Sequence, residues 1–289
     1  MIAAVNMELS QAWDRHAGTY VRLGSPFTGY IGQSLFHTVA GRLPPAARML
    51  EVACGNGELA RAAVLHCFAE RAATGCTGSV LATDFSPEMV ARTSSNLNGL
   101  NAHDIVRCEV HDGQALALES GSFDAVFSAF GIFLFPDRHA GWREAARVLK
   151  PGGWLATAVW RGPEHNALMR VQMAPVLAAL PDRIRAVLPS PGWLDIASSD
   201  GLERELVSCG FSEVEVSEFD AVFTAPTPRQ MWESMCENPV SRNLLASCTV
   251  TELKAVEASV LEHLTSLSGG PDRALRLDGS CHFAVARRA

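Results

Sequence analysis

Residues 51–60, "EVACGNGELA", join a short apolar run to a helix-like run through a glycine-rich turn. The glycines at 55 and 57 and the alanine at 60 give the spacing G-x-G-x-x-A, a permitted form of the dinucleotide-binding motif. A strand that ends in such a turn before a helix directs backbone amides and the positive helix end at one place. Because glycine has no Cβ, a ligand can approach this backbone closely. The stretch therefore predicts an α/β fold with a nucleotide-like ligand.

Strand-like and helix-like segments alternate around this turn, which is the pattern of a parallel sheet flanked by helices. The apolar patterns predict strands at 48–52, 79–84, 104–110, 123–130 and 154–160, with helices at 59–71, 86–99 and 136–149. Elsewhere they predict helices in the first 45 residues, loops around one helix over 161–200, a helix at 201–210, a long strand at 213–225, mostly helix over 228–268 and a closing strand at 275–287.

The composition excludes several classes of protein. The chain has 289 residues, of which 48% are hydrophobic and 19% are charged, as in an ordinary globular protein. Its net charge of −7 and the lack of a basic cluster argue against a nucleic-acid partner. We find no apolar stretch of roughly 20 residues that could span a membrane, and no signal-peptide pattern at the start. The eight cysteines lack C-x-x-C spacing, which predicts reduced thiols, a cytoplasmic location and no metal site.

Three acidic residues follow successive predicted strands: Glu51 ends the first, Asp84 ends the second and Asp112 follows the third. In an open α/β sheet these strand ends face one crevice, in which ligands bind. Asp84 can accept hydrogen bonds from ribose hydroxyls, and Asp112 can accept one from an adenine amino group. Glu51 would repel a pyrophosphate, at a cost of about 1 kcal/mol if exposed. It favours S-adenosylmethionine, which has no phosphate and carries cationic ammonium and sulfonium groups.

The same region resembles the class I S-adenosylmethionine-dependent methyltransferases, in particular the type 11 branch that is similar to the ubiquinone and menaquinone biosynthesis enzymes. Five segments share that family's order and spacing: MLEVACGNGELA, VLATDFSPEMV, VHDGQALAL, SFDAVFSAFGIFLFPD and RVLKPGGWLATAVW. The resemblance covers residues 48–160 and implies a Rossmann-like seven-stranded sheet with helices on both faces, whose last strand is antiparallel. The chain departs from the family's glycine-rich loop at Ala53 and Glu58. Ala53 is tolerable with a negative φ, and Glu58 is expected to point outward.

The resemblance also implies which residues contact S-adenosyl-L-methionine, whose product is S-adenosyl-L-homocysteine. The implied contacts are Glu51, Ala53, Gly55 and Gly57 at the methionine moiety, Asp84 at the ribose, Phe85 and Met89 flanking the adenine, Asp112 and Gly113 at the adenine edge, and Ser128 and Phe130 on the sulfonium side. These assignments are carried over position by position from the shared motifs.

The resemblance further implies an N-terminal helical lid over residues 1–47 and a methyltransferase domain over residues 48–289. In that domain, residues 48–160 form the cofactor-binding half, and residues 161–289 form the substrate-side helical insertion and closing strands. Trp13 and Tyr20 on the lid either contact the cofactor or substrate or pack on the core. Phe133 and Trp160 suggest an apolar acceptor pocket, although core packing explains them equally well. We expect a small, largely apolar organic acceptor, and a monomer or homodimer.

Methyl transfer to an oxygen or carbon atom also needs a proton acceptor, for which histidine has a suitable pKa. His165, just after the fifth strand, and His16 on the lid are the candidates. Two alternatives stay open. The same fold and cofactor could catalyse a rearrangement or cyclisation, or the chain could be an NAD(P)-dependent oxidoreductase. The oxidoreductase is disfavoured by Glu51, and because Asp84 lies farther from Gly57 than the roughly 20 residues typical of such sites.

Overall fold

The computed structural model describes residues 2–186, 192–238, 241–242 and 245–289. The chain divides into two compact units. The first contains Met1–Phe27, Trp160–Leu194 and Asp220–Cys281, and the second contains Thr28–Val159, Asp195–Phe219 and His282–Ala289. Among the described residues, none of the helices is both long enough and apolar enough to cross a membrane.

A seven-stranded sheet forms the centre of the second unit. Its strand order is β3-β2-β1-β4-β5-β9-β6, and its last strand in the chain is antiparallel. The strands are β1 Arg48–Val52, β2 Ser79–Asp84, β3 Val106–Val110, β4 Phe123–Ala129, β5 Leu149–Trp160, β6 Phe211–Phe219 and β9 Cys281–Arg288. Strands β1 to β5 pair in parallel, and β1 lies between β2 and β4. The predicted Rossmann-like sheet is therefore confirmed. The order in which strands are added to the sheet reverses at β1, since β2 and β3 lie on one side of β1 and β4 and β5 lie on the other.

Five helices flank this sheet, and the four that follow β1 begin and end within about three residues of their predicted limits. They are α2 Ser25–Ala40, α3 Glu58–Thr74, α4 Pro87–Asn98, α5 Arg138–Val148 and α8 Ser199–Ser208. Helix α4 begins after Ser86, whose Oγ accepts a hydrogen bond from the backbone N–H of Met89. Helix α3 buries Leu59, Ala63, Val64 and Cys67 on one face, and each fully buried Leu or Val side chain contributes roughly 1.5–3 kcal/mol.

The first unit is mainly helical. It contains α1 Ile2–Thr19, a π-helical turn Tyr20–Gly24, α6 Ala167–Ala179, α7 Asp182–Arg185, α9 Pro228–Glu237 and α10 Val250–Ser268. A two-stranded antiparallel sheet joins β7 Val222–Ala225 to β8 Leu275–Asp278. Helix α6 contains Pro175 and lies within the segment 161–200, for which the sequence predicts one helix among loops.

Two predicted strands are wrong in extent, because each is divided in two. The segment 213–225 divides into β6 and β7, and the segment 275–287 divides into β8 and β9. The second division occurs at Gly279, whose N–H donates to the carbonyl of Ala221. A Cβ on Gly279 would lie 2.4 Å from Cζ of Phe27, so a larger residue at this position would have to displace the Phe27 ring. Consequently β8 pairs with β7, and only β9 enters the large sheet. The lid and domain boundaries at residue 47 stay a prediction.

Candidate functional site

The glycine-rich loop follows β1 and has an unusual backbone. Ala53, Gly55 and Gly57 have φ values of 59°, 55° and 81°, which lie in the left-handed region. The expectation of a negative φ at Ala53 is therefore wrong. A Cβ in this conformation costs roughly 1–2 kcal/mol, and such strained residues often occur at ligand sites. Gly57 is the N-terminal cap residue of helix α3 and supplies no side-chain hydrogen bond to it.

Helix α4 and strand β2 hold this loop in place. The backbone N–H of Gly55 donates to Oδ2 of Asp84 at 3.0 Å, and its carbonyl accepts a hydrogen bond from Oγ1 of Thr93 at 2.9 Å. Asn96 donates through Nδ2 to the carbonyl of Asn56 at 3.0 Å. Sequence reasoning missed Thr93 and Asn96, although both lie on the helix that follows Asp84. The loop is thus held in one conformation by groups from two other elements.

Asp84 is buried, with 6% of its surface exposed. While its Oδ2 accepts the hydrogen bond from Gly55, its Oδ1 accepts a hydrogen bond from the backbone N–H of Ser86 at 3.0 Å. Asp84 therefore connects the glycine-rich loop to Ser86, the N-cap residue of α4. This structural role accompanies the ribose contact that the resemblance implies.

Glu51 is also buried, with 3% of its surface exposed. Its carboxylate accepts a hydrogen bond from the backbone N–H of Ala60, in the first turn of α3. Oε2 has no hydrogen-bond partner within the described part of the chain. Burial is the main reason that the pKa of Glu51 is raised to about 8; the Ala60 hydrogen bond opposes this increase, and the charges of Asp84 and Glu58 add to it. A buried carboxyl oxygen without a partner can accept a hydrogen bond from a ligand that carries an ammonium group.

Glu58 corrects a second expectation about the loop. It is half-buried and accepts a hydrogen bond from Nε2 of Gln33 at 3.1 Å, so it does not point outward. Its side chain lies against Gly29, where an added Cβ would be 2.6 Å from Cγ of Glu58. Helix α2 therefore accommodates the residue that replaces the family's third loop glycine.

The end of β3 lies beside the ends of β1 and β2. The backbone N–H of His111 donates to the carbonyl of Asp84 at 3.0 Å. Oδ1 of Asp112 accepts hydrogen bonds from the N–H and Nε2 of Gln114, at 2.9 and 3.1 Å. Gly113 is buried, and an added Cβ would be 2.8 Å from Cγ1 of Val52. Glu51, Asp84 and Asp112 thus end neighbouring strands at one edge of the sheet, as the sequence predicts.

The loop after β4 contacts the glycine-rich loop directly. Ser128 is fully buried, and its Oγ accepts the backbone N–H of Ile132 at 3.2 Å. Phe130 is a second non-glycine residue in the left-handed region, with a φ of 59°. A Cβ on Gly131 would lie only 2.4 Å from Cβ of Ala53. The implied sulfonium-side residues are therefore next to the implied methionine-side residues.

The implied adenine-side residues differ in exposure. Met89 is almost fully buried at the start of α4, whereas Phe85 is half-buried. Phe133 lies in the 3-10 turn after β4 and is also buried, as is typical of a side chain that packs in the core. Their contacts with a cofactor or an acceptor stay predictions.

The remaining predicted site residues belong to the first unit. His16 is 3% exposed, and burial lowers its pKa to about 4. Its ring contacts those of Trp13 and Tyr20, with centroid distances of 5.6 and 5.9 Å. Its Nδ1 finds no hydrogen-bond partner among the described residues. These three aromatic rings form one cluster on α1 and the π-helical turn, which the sequence spacing alone did not establish.

His165 and Trp160 have different surroundings in the same unit. The His165 side chain is exposed, while its carbonyl accepts a hydrogen bond from Oγ of Ser280 at 2.5 Å. Trp160 is half-buried and stacks on Phe27, with ring centroids 6.0 Å apart. In the part of the chain that is described, no three His, Cys, Asp or Glu side chains are placed to hold a metal ion.

Replacing Ala53 with glycine is expected to stabilise the protein by about 0.5 kcal/mol, because the removal of the left-handed strain outweighs the chain entropy that glycine restores to the unfolded state. The free energy of unfolding from urea titration checks this. The matched control is Ala69→Gly, at an exposed position within α3, which is expected to destabilise by roughly 1 kcal/mol. Equal losses for both variants would contradict the strain at Ala53.

Comparisons with known proteins agree with this geometry. A family model described as a methyltransferase domain matches residues 50–157. The nocamycin O-methyltransferase of Saccharothrix syringae is 31% identical over 228 residues, which cover 74% of this chain and 76% of that protein. An uncharacterised protein of Mycobacterium tuberculosis is 30% identical over 145 residues, which are 50% of this chain but only 47% of that relative, about half its length. The YcgJ protein of Bacillus subtilis has a similar fold, with a TM-score of 0.55 at 14% identity over 89% of this chain and 99% of that one.

Proposed function

Since the chain belongs to the class I S-adenosylmethionine-dependent methyltransferases, we propose that it transfers a methyl group from that cofactor to a small, largely apolar organic acceptor. The cofactor supplies an electrophilic methyl group on a sulfonium. The protein's own contribution is to hold and align the two reactants, which is worth up to roughly 7–11 kcal/mol in favourable cases. The protein also has to take up the proton that the methyl-accepting molecule loses.

The observation that carries this proposal is the buried Oε2 of Glu51, which lacks a partner within the described residues. A cationic ammonium group satisfies this oxygen, whereas a pyrophosphate would meet the negative charges of Asp84 and Glu58, which lie near Glu51. In the proposed arrangement Glu51 holds the ammonium, Asp84 the ribose hydroxyls and Asp112 the adenine amino group. The left-handed backbone of the loop gives the ligand access to the main chain.

The acceptor in this proposal carries a hydroxyl group. The relative from Saccharothrix syringae is named as an O-methyltransferase, which supports oxygen as the methylated atom. The lowered pKa of His16 keeps its ring neutral near pH 7, so that a nitrogen can accept a hydrogen bond from the acceptor's hydroxyl group, but it also makes the ring a weaker base than an ordinary histidine. His16 and His165 are therefore the proposed proton acceptors, and the aromatic side chains of Trp13, Tyr20 and Trp160 are the proposed apolar contacts of the acceptor.

Binding and turnover test the proposal in two steps. Titration with S-adenosylhomocysteine is expected to show binding, and titration with NADH is expected to show none; the reverse result would favour an oxidoreductase. The protein is then incubated with methyl-labelled S-adenosylmethionine and a panel of apolar phenols and alcohols. Label is expected on an acceptor oxygen. An acceptor that is converted without taking up label would instead indicate a rearrangement or cyclisation.

We further propose a cytoplasmic protein that acts as a monomer or homodimer, on small molecules and not on nucleic acid. The acidic composition and the eight unpaired cysteines support this proposal. Size-exclusion chromatography with light scattering measures the oligomeric state directly.

A further inference from the structure

The carboxyl group of Glu51 is almost completely buried at the end of β1. Strand β1 pairs with β2 and β4 on either side of it, in register with Ala82 and Phe127. Oγ1 of Thr83 donates to the main-chain carbonyl of Glu51 at 2.8 Å, which anchors the residue on the β2 side. One hydrogen bond, from the Ala60 N–H, reaches the carboxylate. The side chain therefore cannot satisfy Oε2 by turning to solvent.

The titratable groups that face Glu51 are all acidic. Asp84 comes from β2, Glu58 from α3, Cys54 from the loop and Cys108 from β3. Burial and charge raise the pKa values of both thiols, so they are neutral near pH 7. No ion pair between Glu51 and a Lys, Arg or His occurs in the described ranges. Ionisation of Glu51 would place a second buried negative charge beside Asp84, so it is opposed both by burial and by charge repulsion.

We propose that Glu51 carries a proton in the ligand-free protein and loses it to the solvent when an ammonium-bearing ligand binds, so that cofactor binding releases one proton. This rests on the proposed function, because it assumes that the cofactor's ammonium group lies at Glu51. The O–H bond on the carboxyl breaks, the proton passes to a buffer base, and Oε2 then accepts a hydrogen bond from the ligand's N–H. The ligand's positive charge takes the place of the proton.

The direction of the pH dependence follows from this exchange. Glu51 has a raised pKa in the free protein, so binding must displace a proton below about pH 8 and need not do so above it. The association constant is expected to rise close to tenfold per pH unit between about pH 6 and pH 7, since one proton is released. It is expected to level off above about pH 8.

Calorimetric titration with S-adenosylhomocysteine measures the proton release directly. At pH 7 the wild-type protein is titrated in several buffers that differ in ionisation enthalpy. The slope of the observed enthalpy against that ionisation enthalpy is expected to give about one proton released. For Glu51→Gln we expect weaker binding and a slope near zero, because the amide has no proton to lose.

Glu58→Gln is the matched control in the same loop. It removes a charge that raises the pKa of Glu51 but leaves the carboxyl group in place. Proton release is expected to persist, and the pH at which affinity levels off is expected to move downward. A purely structural role for Glu51 would not produce this shift.

The outcomes separate the two proposals. A wild-type binding enthalpy that does not depend on the buffer would overturn the proton release, and would leave the proposed function intact. Proton release that persists in Glu51→Gln would also overturn it, by assigning the proton to another group. Absence of any S-adenosylhomocysteine binding to the wild-type protein would overturn the proposed function, and this inference with it. If Glu51→Gln does not fold, the titration of the wild-type protein alone still decides whether binding releases a proton.

Discussion

Replacing Glu205 with alanine is expected to lower the free energy of unfolding by about 4 kcal/mol. Glu205 is 8% exposed on α8, and its carboxylate accepts hydrogen bonds from Nε and Nη2 of Arg138, at distances between 2.7 and 3.1 Å. It also accepts the indole N–H of Trp142, which is fully buried, at 2.7 Å. Removing one partner of a buried ion pair costs roughly 3–5 kcal/mol, and an unsatisfied buried donor costs about 1–3 kcal/mol.

Urea denaturation followed by circular dichroism measures this loss. Glu203→Ala is the matched control, because Glu203 lies on the same helix and is exposed, and its replacement is expected to change stability by less than about 0.5 kcal/mol. Glu205→Gln keeps an acceptor for Trp142, so its loss of stability is expected to lie between those of Glu205→Ala and Glu203→Ala. If Glu205→Ala lost no more stability than Glu203→Ala, the contacts between α5 and α8 would not be a major source of stability.

Asp84→Ala is expected to weaken S-adenosylhomocysteine binding about 100-fold, which corresponds to about 2.8 kcal/mol. A hydrogen bond to a charged group contributes roughly 1.5–3 kcal/mol. The variant loses the proposed bonds to ribose, and it also loses the Gly55 hydrogen bond that shapes the loop. Asp84→Asn keeps one carbonyl oxygen and is expected to bind with intermediate affinity.

Asp124→Asn is the control for this experiment. Like Asp84, Asp124 is a carboxylate that accepts a backbone N–H, that of Arg48 at 2.8 Å, but it is half-buried and pairs with Lys150. It lies at the start of β4, at the opposite end of the strands from Asp84. Its replacement is expected to lower the melting temperature and to leave the affinity unchanged. An unchanged affinity in a folded Asp84→Ala protein would remove Asp84 from the proposed site.

The sheet and its edge of acidic side chains were predictable because they depend on local patterns. Each strand between residues 48 and 160 is a short apolar run, and parallel strands place their ends together. Ser86 and Pro87 marked the start of α4 for the same reason, since capping is a local interaction. These signals are contained in a few neighbouring residues, so no knowledge of the fold was needed.

The features that could not be predicted depend on contacts between distant segments. Glu205 sits in an ordinary helical pattern, and only packing against Arg138 and Trp142 shows its importance. The division of the segment 275–287 depends on the ring of Phe27 beside Gly279. The left-handed backbone of Ala53 could not be predicted either, because alanine does not favour that conformation.

The contact between the loops after β1 and β4 also limits how this sequence can change during evolution. Any side chain at Gly131 would meet the methyl group of Ala53, because the added Cβ would lie 2.4 Å away. A lineage that keeps Ala53 must therefore keep glycine at 131, whereas one that first acquires glycine at 53 removes the closest obstruction. The two positions form an epistatic pair, because a substitution at Gly131 is less obstructed once residue 53 is glycine, with Oγ of Ser128 at 2.8 Å as the next contact.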